Sequence, residues 1–173
     1  MTSLQTAAYW IDHLQLTAHV EGGAFREIYR SPLLLSQHTI GSAFRNSRPA
    51  STSIYFLLQA GQFSAFHRIA SDEIWHHYTG DCLEIFELLP DGQLTTHLLG
   101  KDPEAGEQFQ VKITAGNWFA SRVKAGGNYT LCGCTVAPGF DFEDFELASR
   151  TELCAAYPEH AALITRLTYT GQR

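Results

Sequence analysis

Apolar positions at the start of the chain recur at helical spacing. Leu4, Ala8, Ile11 and Leu14 share one face and Ser3 offers an N-cap, so residues 3–15 read as a helix. Gly22-Gly23 then breaks regular structure and admits backbone conformations closed to other residues. From Ala24 to Ser31 the period drops to two. Phe25, Glu27 and Tyr29 face one way, Arg26, Ile28 and Arg30 the other, and Pro32 stops the strand. Residues 36–50 are rich in Ser, Gln, Asn, Gly, Arg and Pro, and read as a loop long enough to act as a lid or binding loop rather than a simple connection. Short strands follow at 51–59, 63–69, 73–79, 82–89, 93–99, 109–114, 117–123 and 129–136. Turn residues separate them, most strongly Pro90-Asp91-Gly92, and Pro138-Gly139 ends the last. Helical period returns over 152–167 through Leu153, Tyr157, Leu163, Ile164 and Leu167. The pattern predicts an all-β sandwich or barrel over about 24–147 with a short helix at each end, in a single domain spanning 1–173.

Composition narrows the function classes. A chain of 173 residues with 45% hydrophobic and 17% charged residues can build one substantial core. A net charge of −6 without clustered Lys or Arg argues against a nucleic-acid partner. No stretch is long and apolar enough to span a bilayer, and Asp12 and His13 interrupt any leader-like pattern, so the expectation is a cytoplasmic protein with no membrane partner. Cys82, Cys132, Cys134 and Cys154 form no C-x-x-C pair and read as small buried residues in a reducing compartment.

The chemistry concentrates in residues 63–80. Three of the eight histidines fall here, His67, His76 and His77, together with Glu73, Trp75 and Tyr78. Period-two geometry puts Glu73, Trp75 and His77 on one strand face and Ile74, His76 and Tyr78 on the other. A tight turn between the two strands can then bring Glu73 and His77 to His67. An imidazole and a carboxylate in an apolar cavity form a proton-transfer pair, and the same atoms are metal ligands. The alternative is a buried, hydrogen-bonded structural pair. Trp75 reads as core or cavity wall. Arg26 and Arg30, on a shared face, read as a solvated surface or as a site for a carboxylate or phosphate.

The spacing His67-x-Ile69-x3-Glu73-x6-Gly80 is similar to the first motif of the cupin superfamily. More closely, the chain resembles an RmlC-like cupin family of unknown function. The matching blocks begin at Glu21-Gly-Gly-Ala-Phe-Arg-Glu, Ser53-Ile-Tyr-Phe, Phe66-His-Arg-Ile-Ala-Ser-Asp-Glu-Ile-Trp-His, Ala115-Gly-Asn-Trp-Phe-Ala and Cys134-Thr-Val-Ala-Pro-Gly-Phe. At Ala18-His19-Val20-Glu21 the family usually has Pro-His-Pro-Glu, a departure that removes no reactive group.

The resemblance implies a double-stranded β-helix, a jelly-roll barrel that holds a small molecule. It also implies a homodimer formed by strand exchange, with Phe25–Arg30 as the exchanged or edge strand. Two positions where metal-binding cupins carry ligands are Ile69 and Phe119, so no cofactor is expected. The alternative is a divalent metal held by His67, Glu73 and His77. Metal-free relatives of the epimerase type use a histidine base and a tyrosine acid. Mapped here, these are His67, oriented by Glu73, with Tyr55 or Tyr129 as acid; Trp75, His77, Arg26 and Phe119 would contact the ligand. Three functions are expected in turn: an isomerase or epimerase acting on a sugar or sugar-nucleotide-like ligand, a metal-dependent enzyme, or a non-catalytic binding protein.

Overall fold

The computed structural model describes residues 5–170. The first helix, α1, spans Ala7–His13 and is capped by Thr6, whose Oγ1 accepts from the Tyr9 N–H at 3.2 Å. The predicted Ser3 cap and Leu4 lie outside the described residues. The long strands are β1 (Ala24–Arg30), β2 (Thr52–Gln59), β3 (Phe63–Arg68), β4 (Asp72–Gly80), β5 (Leu83–Leu88), β6 (Leu94–Leu99), β7 (Gln110–Ile113), β8 (Trp118–Val123) and β9 (Tyr129–Ala137). Each falls where alternation and turn residues predict one.

The strands form two antiparallel sheets packed face to face. Sheet one runs from a short ladder at Thr17–Ala18 through β1, β2, β9, β4 and β7. Sheet two runs from Glu146–Leu147 through β3, β8, β5 and β6. The core between them includes Phe56, Leu58, Trp75, Ile85, Ile113, Phe119 and Cys132, all at most 1% exposed. Outside sheet one, α1 and the residues after it bring Trp10, Ile11 and Leu16 against Leu57 and Leu131.

The expected C-terminal helix is split. The helical run breaks because Pro158 lacks a backbone N–H and restricts Tyr157 before it. With α2 at Gln37–Ile40, α3 spans Arg150–Ala156, a 3₁₀ turn follows at Pro158–His160, and α4 spans Ala161–Arg166. Leu153, Ile164 and Leu167 bury themselves on Phe66, Phe86 and Leu88 of sheet two.

Three departures from the sequence reading shape the site. First, β1 carries a bulge: Glu27 pairs with Ile54, and the next paired residue, Tyr29, meets Ser53. One inserted residue reverses the alternation beyond it. Arg30 therefore joins Phe25 and Glu27 rather than sharing a face with Arg26. Second, β3 and β4 are consecutive but do not pair; they lie in opposite sheets. Third, the 36–50 segment is not a plain loop. It contains α2 and ends at Arg48–Pro49, which pairs with Leu34–Leu35.

Candidate functional site

A cavity of about 90 Å³ lies between the sheets, space for a few waters or one small ligand. Sheet one supplies Phe25, Ile54, Phe56, Glu73 and Cys134 to its wall, and β3 supplies His67. The segment after β9 closes it with Phe140, Phe142 and Phe145. His19 and Glu21, from the turn before β1, complete the polar lining with Glu27, Arg30 and Thr52.

His67 is 3% exposed and held at both ring nitrogens. Nδ1 lies 2.7 Å from the Ala65 carbonyl oxygen. A carbonyl only accepts, so Nδ1 carries a hydrogen. Nε2 lies 3.1 Å from Oε2 of Glu21. In the neutral imidazole that nitrogen is a lone pair, so a contact this short needs one proton between the two atoms. Burial raises the Glu21 carboxyl and lowers the His67 imidazole. Both directions favour the shared proton on Glu21, as donor to Nε2. The other carboxyl oxygen of Glu21 accepts from Ser64 Oγ at 2.9 Å. The ring of Phe119 packs on His67 at 4.1 Å.

Glu21 is the functional residue that sequence reasoning missed. It stands in a quoted block but far from His67 in the chain, and nothing in its spacing points to β3. The backbone brings it there: the Glu21 carbonyl accepts from Ala65 N–H at 2.8 Å and from the Tyr169 hydroxyl at 3.0 Å. The usable signal was Gly22-Gly23. Gly22 has φ 115°, and a Cβ there would overlap the Phe63 carbonyl, so only glycine lets the turn lie this close to β3. His19 joins from the same turn, its Nδ1 3.5 Å from Glu21 Oε2, and burial lowers its pKa.

Glu73 reaches the cavity as expected, but not as the hydrogen-bonded orienter of His67; Glu21 occupies that position. Because β3 and β4 belong to opposite sheets, Glu73 faces His67 across the sandwich. Its carboxyl is pushed up to about 7 by burial, which His67 opposes and Glu21 reinforces. A folded-state pKa above the ordinary 4.5 means the native protein keeps a proton that the unfolded chain has released. Stability linked to Glu73 is therefore present below pH 4.5 and lost as pH rises through 7. The neutral isostere Glu73→Gln is expected to be more stable than wild type at pH 8, by on the order of 2–3 kcal/mol. That advantage should vanish as the pH is lowered towards 4.5, measured by urea midpoints across the range. Equal stability of the two proteins at pH 8 would contradict the assignment.

The remaining candidates separate. Trp75 is 1% exposed and packs at 5.6 Å from Phe56 and 6.3 Å from Phe119, behind the wall rather than on it. His77 is carried away. Four residues of extended chain span about 13 Å, so on a strand leaving Glu73 it cannot return to His67. Its electrostatic neighbours are Lys101, Glu107 and Asp81. Tyr55 and Tyr129 lie on the outer face of sheet one. Tyr55 packs on Tyr78 at 5.8 Å, while the Tyr129 hydroxyl accepts from Trp10 Nε1 and donates to the Gln5 carbonyl, tying down the N-terminal segment. Neither stands beside His67, and no tyrosine is among the described residues that line the cavity. Arg26 is exposed and binds the Leu14 carbonyl at 3.1 Å, outside the barrel. Arg30, turned inward by the bulge, takes its place at the cavity.

A family profile described as cupin superfamily (DUF985) matches residues 8–148. The chain belongs to that cupin family. Its two-sheet jelly roll is the cupin double-stranded β-helix, with short helices at both ends. Protein SO0799 from Shewanella oneidensis is 42% identical, with a TM-score of 0.86 over 97% of this chain and 100% of that one. A hypothetical protein from Leishmania major is 35% identical, with a TM-score of 0.87 over 95% and 99% of the two chains. The uncharacterized protein YML079W of Saccharomyces cerevisiae is 32% identical, covering 78% of this chain and 71% of its own.

A metal held in a cupin barrel needs several donor side chains converging on one point. Ile69 lines the cavity without a donor atom, and Phe119 stacks on His67 where a ligand would stand. The His67 nitrogen that would meet a metal is occupied by Glu21. Among the described residues, no group of three or more His, Cys, Asp or Glu side chains is placed to hold a metal ion. The residues present do not fit the group. Among the same residues, no helix is long and apolar enough to cross a membrane.

Proposed function

We propose that this cupin binds a small polar molecule in the cavity and moves a proton on it without a metal, in the manner of an isomerase or epimerase acting at a carbon beside a carbonyl. The observation that carries the reading is the 3.1 Å contact between His67 Nε2 and Glu21 Oε2, at the wall of a cavity that Glu73 lines from the opposite sheet. The Glu21–His67 pair can give up or take one proton with little rearrangement, because Ala65 fixes the ring. Glu73, near half-ionised at neutral pH, can act in the opposite sense from the other wall. Two titratable centres facing each other across an enclosed space are what a proton shift within one substrate requires. The cavity is sized for the reacting end of a sugar-like ligand; a nucleotide attached to it would lie beyond the mouth.

The test is isotope wash-in. In D₂O, the wild-type protein is expected to exchange the carbon-bound hydrogen beside the carbonyl in a small hydroxy-carbonyl ligand that also raises its melting temperature. A ligand that stabilises the protein but exchanges no faster than in buffer would leave binding without catalysis and remove the proton-transfer reading.

A further inference from the structure

The cavity has a marked imbalance of polar groups. Its lining carries carboxylates at Glu21, Glu27 and Glu73, and Arg30 is the one Arg or Lys among the described lining residues. Arg30 is already engaged. Its Nε and Nη2 donate to the two carboxyl oxygens of Glu27 at 2.9 and 2.7 Å, and Nη1 donates to the Phe140 carbonyl at 3.1 Å. A bidentate pair of this kind neutralises the guanidinium and leaves no free fork for an anionic ligand. Among the described residues, no Lys or Arg side chain pairs with the other two carboxyls. The charged and polar groups facing Glu73 are His67, Glu21, Cys134 and Trp75, and those facing Glu21 are His19, His67 and Ser64. Burial holds both imidazoles neutral.

The apolar part of the lining is equally specific. Phe140, Phe142 and Phe145 stand close together, with ring centroids 5.0, 6.3 and 6.1 Å apart and planes inclined at 79°, 71° and 70°. Three nearly perpendicular rings at these separations form the corner of a box. The faces of such rings carry negative charge density, which attracts a cation lacking a tight hydration shell. Phe142 is 57% exposed, so one wall of the corner stands at the mouth. A neutral sugar needs paired donors and acceptors around its hydroxyls. Here the ring faces dominate, and Glu27 and Glu21 are already held by Arg30 and His67, which leaves Glu73 as the acidic group of the described lining without an ion-pair partner.

We infer that the ligand of this cavity bears a positively charged amine or quaternary ammonium group, seated in the corner of Phe140, Phe142 and Phe145 and facing the carboxyl of Glu73, the specificity-determining residue. The inference rests on the reading of the cavity as the ligand site and narrows its substrate class to small, amine-bearing carbonyl or hydroxyl compounds. Arg30, held by Glu27, keeps the mouth closed to carboxylates and phosphates instead of attracting them.

The test compares choline with its uncharged isostere 3,3-dimethylbutan-1-ol, by calorimetry on the full chain at pH 8. Shape and apolar area are nearly matched, so the difference reads charge alone. Choline is expected to bind at least about tenfold tighter, the scale of a desolvated cation on aromatic faces. Glu73→Gln should bring the two ligands to within about twofold of one another. Phe142→Ala, at an exposed position, should weaken choline severalfold. Equal or tighter binding of the isostere overturns the inference, and so does failure of choline to bind at millimolar concentration. Proton exchange on a purely neutral hydroxy-carbonyl compound would keep the proton-transfer reading and sink the amine class, so the two failures are distinguishable.

Discussion

Replacing Arg48 with alanine is expected to cost about 3–5 kcal/mol of stability, because it leaves a buried carboxylate without its partner. Arg48 is 1% exposed. Its Nε and Nη2 donate to the Asp144 carboxyl oxygens at 2.6 and 2.7 Å, and Nη2 also reaches Glu143 at 3.2 Å. The Asp144 side chain is itself only 6% exposed. Truncation removes the fork and leaves that carboxyl in a low-dielectric setting. For a chain of this size the loss corresponds to a melting temperature lower by about 6–20 °C. The companion change Asp144→Leu in the same chain removes the orphaned charge and should recover part of the loss. No shift in melting temperature for Arg48→Ala would show that the clamp carries no stability.

The clamp also bears on the cavity. Asp144 lies between Phe142 and Phe145, so Arg48 fixes the segment that closes the mouth from the end of the 36–50 region. Asn46 Nδ2 adds a bond to Glu143 at 2.9 Å, and Gly139 N–H donates to the Pro49 carbonyl at 2.7 Å. The region expected to be a lid is instead the strap that holds the aromatic closure in place.

The second large effect is expected at His67. His67→Gln keeps a polar side chain of similar reach but has no titratable nitrogen. Proton exchange on the ligand should fall by about 10²–10⁴, the usual contribution of a positioned acid or base. The protein should still fold cooperatively, because the Gln amide can donate its N–H to the Ala65 carbonyl or accept at its oxygen from Glu21. His67→Ala should lose the same exchange and more stability, since it empties the space under Phe119 and leaves the Glu21 carboxyl without its acceptor. Exchange that survives His67→Gln within a few-fold would place the chemistry on another residue.

The strand plan was legible in the sequence because alternation and turn residues are local, and β2 through β9 carry both. What alternation cannot express is which strands pair. His67 and Glu73 look like neighbours across a hairpin, yet they meet from opposite sheets, and the same topology takes His77 away. A bulge is equally silent: one unpaired residue in β1 exchanges the roles of Arg26 and Arg30. Glu21 was invisible for a third reason. Its partner is distant in the chain, and its position depends on Gly22 fitting against Phe63. The tyrosines failed because a strand pattern assigns a face only relative to its neighbours, and Tyr55 and Tyr129 sit on the face that α1 and the N-terminal segment cover.

The central claim is that Glu21 and His67 form a neutral, proton-sharing pair with the imidazole hydrogen on Nδ1. Nitrogen-15 NMR of the labelled His67 ring at pH 7 tests it most directly. The account predicts a protonated Nδ1 and an unprotonated, hydrogen-bonded Nε2, with Nε2 moving towards the free-imidazole value in Glu21→Ala. Two protonated nitrogens at pH 7, or a hydrogen on Nε2 alone, would contradict it.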